Sequence, residues 1–240
     1  MSVSAPFGQP SIGETLRSSF RDAAAAAKTN LVPAGAFVVL GTALAVTAAL
    51  SGGLKAGEVP AWFPIVVTVA DIAGIVTAYS AIAAAVRTIH PQYRMTFAQF
   101  IGMFGYSLLA GFFTMLAALL FIIPAYWVGV KLMLMPYTYV VTNGAPDTLK
   151  NTWNMTTGYY WKTFGMFLLL GICESGILLG AYLVAFFIGS LAPISAVVLA
   201  PLVLAALAWL LHVQALAYVR WTDALLPRAN LPARGAPVPA

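Results

Sequence analysis

Residues 164–188 read FGMFLLLGICESGILLGAYLVAFFI, a long apolar run whose single charged side chain is Glu174. A helix needs about 20 such residues to cross the hydrocarbon core of a bilayer. Working outward from this run, similar stretches recur at about 31–50, 62–86, 100–123, 128–141 and 194–219. The fourth, 128–141, is near the lower limit for a span. The expected class is therefore all-α: a polytopic membrane helix bundle of about six transmembrane helices, with interfacial amphipathic helices beside them. Composition leads to the same place. Hydrophobic residues are 61% of the chain, charged residues 8%, and the mean hydropathy is +0.90. A soluble domain carries about 25% charge to wet its surface. This chain has too little, so its first partner is the lipid bilayer.

The flanks differ from the core. Residues 1–10 are polar and Pro-containing and are expected to be flexible. Residues 11–220 form a single membrane domain that opens with an amphipathic helix over 11–28. In that helix Ser11 and Glu14 have capping-box spacing, and Ile12, Leu16 and Phe20 recur along one face. The tail, 221–240, holds Pro227, Pro232, Pro237 and Pro239 among Ala and Arg and is expected to be disordered. Pro124 is expected to mark a tight turn between the third and fourth spans. No cleavable leader is read before the first apolar run at Leu31, so the first span is expected to act as an uncleaved insertion signal.

Net charge is +5, but the basic residues lie scattered between apolar runs, which is the footprint of membrane topology rather than of a nucleic-acid groove. With the N-terminus cytoplasmic, ten of the twelve basic residues fall on the inner side: Arg17, Arg21, Lys28, Arg87, Arg94, Lys150, Lys162, Arg220, Arg228 and Arg234. Lys55 is left outside and Lys131 within a span. The asymmetry places both termini in the cytoplasm. Trp62 and Trp127 then sit at the outer interface, Trp161 and Trp221 at the inner one. Glu14–Phe20 and Asp147–Trp153 are chemically matched position by position, and each precedes a hydrophobic hairpin; a third start lies at Thr96, where Gln99 completes capping-box spacing. Either an internal repeat or chance likeness of amphipathic starts explains this.

The stretch from Gly111 to Gly171 is the most distinctive. Leu120-Phe121-Ile122-Ile123-Pro124 is followed by Lys131 in the apolar run Trp127 to Met135, then by Pro136. Next come the polar segment Asp147 to Trp153, Thr156-Thr157-Gly158, and Tyr160-Trp161-Lys162. This resembles the bacterial inner-membrane family named after the membrane domain of glycerophosphoryl diester phosphodiesterase, with its poorly characterised relatives. The resemblance covers the central third of the chain. It implies a multi-span bacterial membrane protein and carries no phosphodiesterase activity, since that chemistry belongs to a separate soluble domain.

Four ionisable residues fall inside the expected spans, Asp71, Lys131, Glu174 and His212. A charge at mid-bilayer costs at least about 2.5 kcal/mol, so each is expected to face the protein interior and find a partner. Asp71 and Glu174 fall near the midplane; Lys131, one turn from Trp127, can snorkel outward. One reading is a proton or cation relay on the two carboxylates with Lys131 as counter-charge. The other, favoured because a relay needs more polar lining, is a structural ion pair or protonated carboxyls. His212 is read as an interhelical hydrogen-bonding residue. No metal-ligand spacing surrounds either histidine, and Cys173 has no cysteine to pair with. Phosphate loops, nucleophile elbows and zinc-protease motifs are missing, so no cofactor and no catalysis are expected. Gly176 and Gly180 make a small-residue step for helix packing. The leading expectation is an inner-membrane structural, assembly or accessory component, alone or with other membrane proteins; the alternative is a small transporter or channel with a midplane carboxylate site. The topology has a direct check: reporter fusions at the C-terminus and beside Lys150 should both read cytoplasmic, and a periplasmic signal at either overturns it.

Overall fold

A computed structural model of the chain describes residues 11–50, 63–120, 122–145, 147–188 and 192–226. The expected flexible N-terminus, 1–10, and the last fourteen residues of the tail, 227–240, lie outside them. Nine helices are found among the described residues: α1 (Ile12–Lys28), α2 (Leu31–Leu50), α3 (Phe63–Ile89), α4 (Phe97–Leu120), α5 (Ile122–Leu132), α6 (Met135–Val141), α7 (Thr148–Thr157), α8 (Tyr160–Ile188) and α9 (Ala192–Leu225). Four of them, α3, α4, α8 and α9, are long and apolar enough to cross a membrane, and a fifth span is added if α1 and α2, bent by 88° at their junction, are taken together.

The helix starts are encoded locally. Ser11 caps α1, its hydroxyl accepting the Glu14 N–H at 3.5 Å. The Thr96–Gln99 capping box is complete: the Gln99 amide oxygen accepts the Thr96 N–H at 2.9 Å, and the Thr96 hydroxyl accepts the Gln99 N–H at 3.2 Å.

The expected fourth span, 128–141, is not one helix. The return from α4 begins earlier, at Ile122, and breaks at Met133–Leu134 into α5 and α6. Pro136 explains the break: it has no N–H to give residue 132, and its ring collides with that carbonyl in a continuous helix. The two pieces together still run antiparallel to α4. Gln99 donates to Asn143 at 2.5 Å, the rings of Tyr106 and Tyr139 lie 4.8 Å apart, and a Cβ at Gly129 would sit 3.4 Å from Thr114. Gly102 packs so tightly on Tyr139 that any side chain there would collide. Asn143 and Gly144 then take left-handed φ of 58° and 84° to end the pass.

The tail also departs from expectation. Trp221 to Leu225 continue α9, and Trp221 and Leu225 are fully buried. Proline content further along decides nothing here, because the Trp221 indole N–H donates to Thr163 at 2.9 Å and its ring fills the core.

α9 is the central post, packing against α1, α2, α3, α6 and α8. Its buried Leu210, Val213, Leu216 and Val219 meet small residues opposite, Ala81, Ala84 and Ala85 on α3 and Ala23 and Ala26 on α1. Small side chains allow the close approach that dispersion needs where lipid supplies no hydrophobic drive. α2 runs antiparallel to α9, and a Cβ at Gly41 would come within 2.7 Å of Leu204. α7 packs inward on its threonines: Thr148, Thr152, Met155 and Thr156 are buried, whereas Leu149 is exposed and Trp153 half-buried. Threonine can pack because its hydroxyl bonds back to the preceding turn, Thr152 to Thr148 O at 2.8 Å and Thr156 to Thr152 O at 2.9 Å.

α1 is tied to the end of α9 by ions. Arg220 bridges to Asp22 and donates to the Ser19 hydroxyl at 3.2 Å, while Arg21 reaches Asp22 at 3.1 Å. The Arg21 and Arg220 hydrogen bonds hold the Asp22 carboxyl below its ordinary value of 3.8, with slight burial opposing. A lowered folded value means the contribution is present above pH 3.8 and lost as pH falls through the folded value. Asp22→Asn should cost α1 amide-exchange protection at neutral pH and flatten the acid-side loss of thermal stability; identical acid limbs in variant and parent would refute the clasp.

Candidate functional site

The four ionisable residues expected at one interior site do not converge. Lys131 is buried, but its partners are neither Asp71 nor Glu174. Its ammonium donates to the Thr157 hydroxyl at 2.6 Å and lies 5.5 Å from the Trp127 ring and 5.4 Å from the Trp153 ring. The two indoles meet edge to face at 5.0 Å, so Trp127, expected at the outer interface, packs against the segment around Lys150, expected on the inner side; the structure does not keep the two apart. A cation between aromatic faces is held by the ring quadrupoles and needs no carboxylate. The Thr156 hydroxyl approaches the Lys131 carbonyl at 3.3 Å, so α7 secures both ends of this residue. The side chain does not snorkel.

His212 is also buried, and here the structural reading holds. Its Nδ1 faces the Ala208 carbonyl at 2.7 Å and its Nε2 faces the Asn30 amide nitrogen at 3.0 Å. A carbonyl can only accept, so Nδ1 carries the proton and Nε2 accepts from Asn30; the neutral ring satisfies both contacts. This bond joins the α1–α2 corner to the middle of α9.

The carboxylates lie elsewhere, and the expectation that they are buried is corrected. Asp71 and Glu174 are both exposed on apolar helices. Glu174 accepts a hydrogen bond from Gln214 at 3.3 Å. Gln214 in turn lines a cavity of about 360 Å³ between α3, α4, α6 and α9, together with Tyr79, Ser107 and Tyr137. Asp71 stands one turn before Ile75, the first α3 residue to line this cavity with Ala78, Tyr79 and Ile82, and does not line it itself. Neither carboxylate lines the cavity itself; Glu174 reaches it only through Gln214.

Hydropathy identified these residues by depth along a helix; it is blind to azimuth. The groups that answer them are Asn30, Thr157 and the two tryptophans, none of which carries a charge to draw attention. Two further pairs escaped notice because each spans most of the chain: Asp22–Arg220, and His90–Asp223, whose Nε2 and Oδ2 are 2.6 Å apart. Both pin the ends of other helices to the end of α9.

Comparison of the chain with protein-family models, with curated proteins and with solved structures gives no match.

The His212 bond makes a quantitative expectation. Asn30→Leu leaves the buried Nε2 without a donor and should destabilise by about 1–3 kcal/mol. The double variant Asn30→Leu/His212→Leu should recover part of that loss, because no orphaned polar atom then remains. Strict additivity of the two single changes in thermal unfolding would show that the side chains are not coupled.

Proposed function

We propose that this chain is a bacterial inner-membrane protein with six passes, α2, α3, α4, the broken α5–α6 return, α8 and α9, and with both termini in the cytoplasm. In this reading it is an accessory or assembly component that binds another membrane protein through α8. The support for the topology is the distribution of basic residues and the antiparallel run of α5–α6 beside α4. The resemblance of Gly111–Gly171 to the phosphodiesterase-associated membrane family is in keeping with it.

The observation that carries the role is the bareness of α8. Beyond its first turns it leans on α9 along one side, and from Ile172 to Val184 nearly every residue is exposed. Glu174 and Ser175 are among them, and Gly176 and Gly180 have open space where a side chain would stand. A carboxylate and a hydroxyl facing lipid are costly, whereas a second helix laid on the glycine step would approach closely and offer them partners. Covalent chemistry has no place in this reading. Cys173 is exposed on that face, and the two histidines are engaged with Asn30 and Asp223.

A photo-crosslinker at Leu179 in living cells should give an adduct with one polypeptide, and at Leu108 on α4 should label lipid alone. Gly180→Phe should abolish the Leu179 adduct by blocking close approach. Lipid labelling at both positions, or an adduct indifferent to Gly180→Phe, overturns the accessory role.

One observation favours a transporter as a second reading: Glu174 is hydrogen-bonded to Gln214, which lines the cavity together with Tyr79, Ser107 and Tyr137. Proton or cation flux into vesicles containing only the purified chain, stopped by Glu174→Gln, would move the assignment to that class.

A further inference from the structure

The groove between α4, α5 and α7 combines features that no other part of the described molecule combines. It encloses about 440 Å³. Phe113, Val128, Leu132 and Leu149 make its walls apolar, while Lys150 and Asn154 make one end polar. On α7, residues 150, 153, 154 and 157 lie at i, i+3, i+4 and i+7, so Lys150, Trp153, Asn154 and Thr157 share one face. Lys150 stands at one end of that face. At the other, Thr157 holds the ammonium of Lys131 behind Trp153. Two cations therefore bracket the groove. No carboxylate lines it; the nearest in sequence, Asp147, is exposed at the start of α7, three residues before Lys150.

We propose that this groove binds one anionic phospholipid, with an acyl chain against Phe113, Val128 and Leu132 and the phosphate at Lys150 and Asn154. The apolar walls argue for a lipid over a free anion, since a soluble phosphate leaves them in contact with water. The charge argues for an anionic lipid over a zwitterionic one. Lys150 is exposed in a groove that no carboxylate lines, and Lys131, held behind Trp153, keeps its unit charge, so the net field at the groove is positive and favours a negative headgroup. Asn154 adds an amide donor beside the exposed Lys150.

Native mass spectrometry of the full chain, purified in mild detergent and exposed to equal amounts of phosphatidylglycerol and phosphatidylcholine, tests this directly. One phosphatidylglycerol should be retained preferentially. Lys150→Gln should weaken that retention about fivefold, the factor one cation contributes near an anionic lipid surface. Lys150 is exposed, so the variant should keep its thermal stability. Val128→Trp, which fills the groove without altering charge, should also displace the lipid. Equal retention of the two lipids, or retention unchanged in both variants, overturns the proposal. Displacement of the bound lipid by millimolar inorganic phosphate alone overturns it too, because the site would then take a free anion.

Discussion

In this chain the packing of α9 comes first, because lipid gives apolar side chains no reason to leave it. Helices associate there through dispersion and through interhelical hydrogen bonds. α9 meets both demands along a length of 34 residues. Alanines opposite its buried leucines and valines bring α1 and α3 close, Gly41 brings α2 close, and polar bonds from Asn30, Ser19, Asp22, His90 and Thr163 fix how α1, α2, α3 and α8 are set against it. Five neighbours share one post, so a slip of α9 would break bonds in several helices at once. α4, α5 and α7 lie further out and reach the post mainly through α6, where the Tyr137 and Tyr218 rings lie 5.1 Å apart.

Threonine is the second recurring device. Thr77, Thr138, Thr152 and Thr156 are all fully buried, and each returns its hydroxyl to the carbonyl four residues earlier. The polar atom is satisfied within its own helix, and the methyl group is left to pack. Two of them also reach out, Thr77 to Pro33 O at 2.9 Å and Thr156 to Lys131 O at 3.3 Å. A face that reads as polar in sequence thereby becomes an interior face, which is why α7 packs on its threonines and not on Leu149.

What could be read from sequence follows from the range of each interaction. Apolar length and capping spacing are local, and they placed α1, the start of α4 and the long membrane helices close to where they lie. The break in the return pass was present in Pro136, but apolar character on both sides of it read as continuity. Azimuth was invisible. The long apolar runs of α3 and α8 mark Asp71 and Glu174 as deep, yet only tertiary packing decides that both face out. The partner of Lys131 was hidden for a related reason: a search for charge looks for a carboxylate, and two indoles with a threonine do not register as one.

That last point bears on how the chain manages charge in an apolar setting. Lys131 is covered by rings, His212 is kept neutral by the geometry of its two contacts, and Asp22 and Asp223 are paired at helix ends. Each of these is closed within the chain. Asp71 and Glu174 are the exceptions, both exposed on apolar helices, with Glu174 bonded only to Gln214. A monomer selected only for stability would replace them with leucine at no structural cost, since neither supports a buried contact beyond the single Gln214 bond. Under the accessory reading proposed above, the exposed Glu174 near the open Gly176 and Gly180 fits a surface completed by a second helix. In that reading the polar groups would register the incoming helix, where apolar packing alone would allow it to slide.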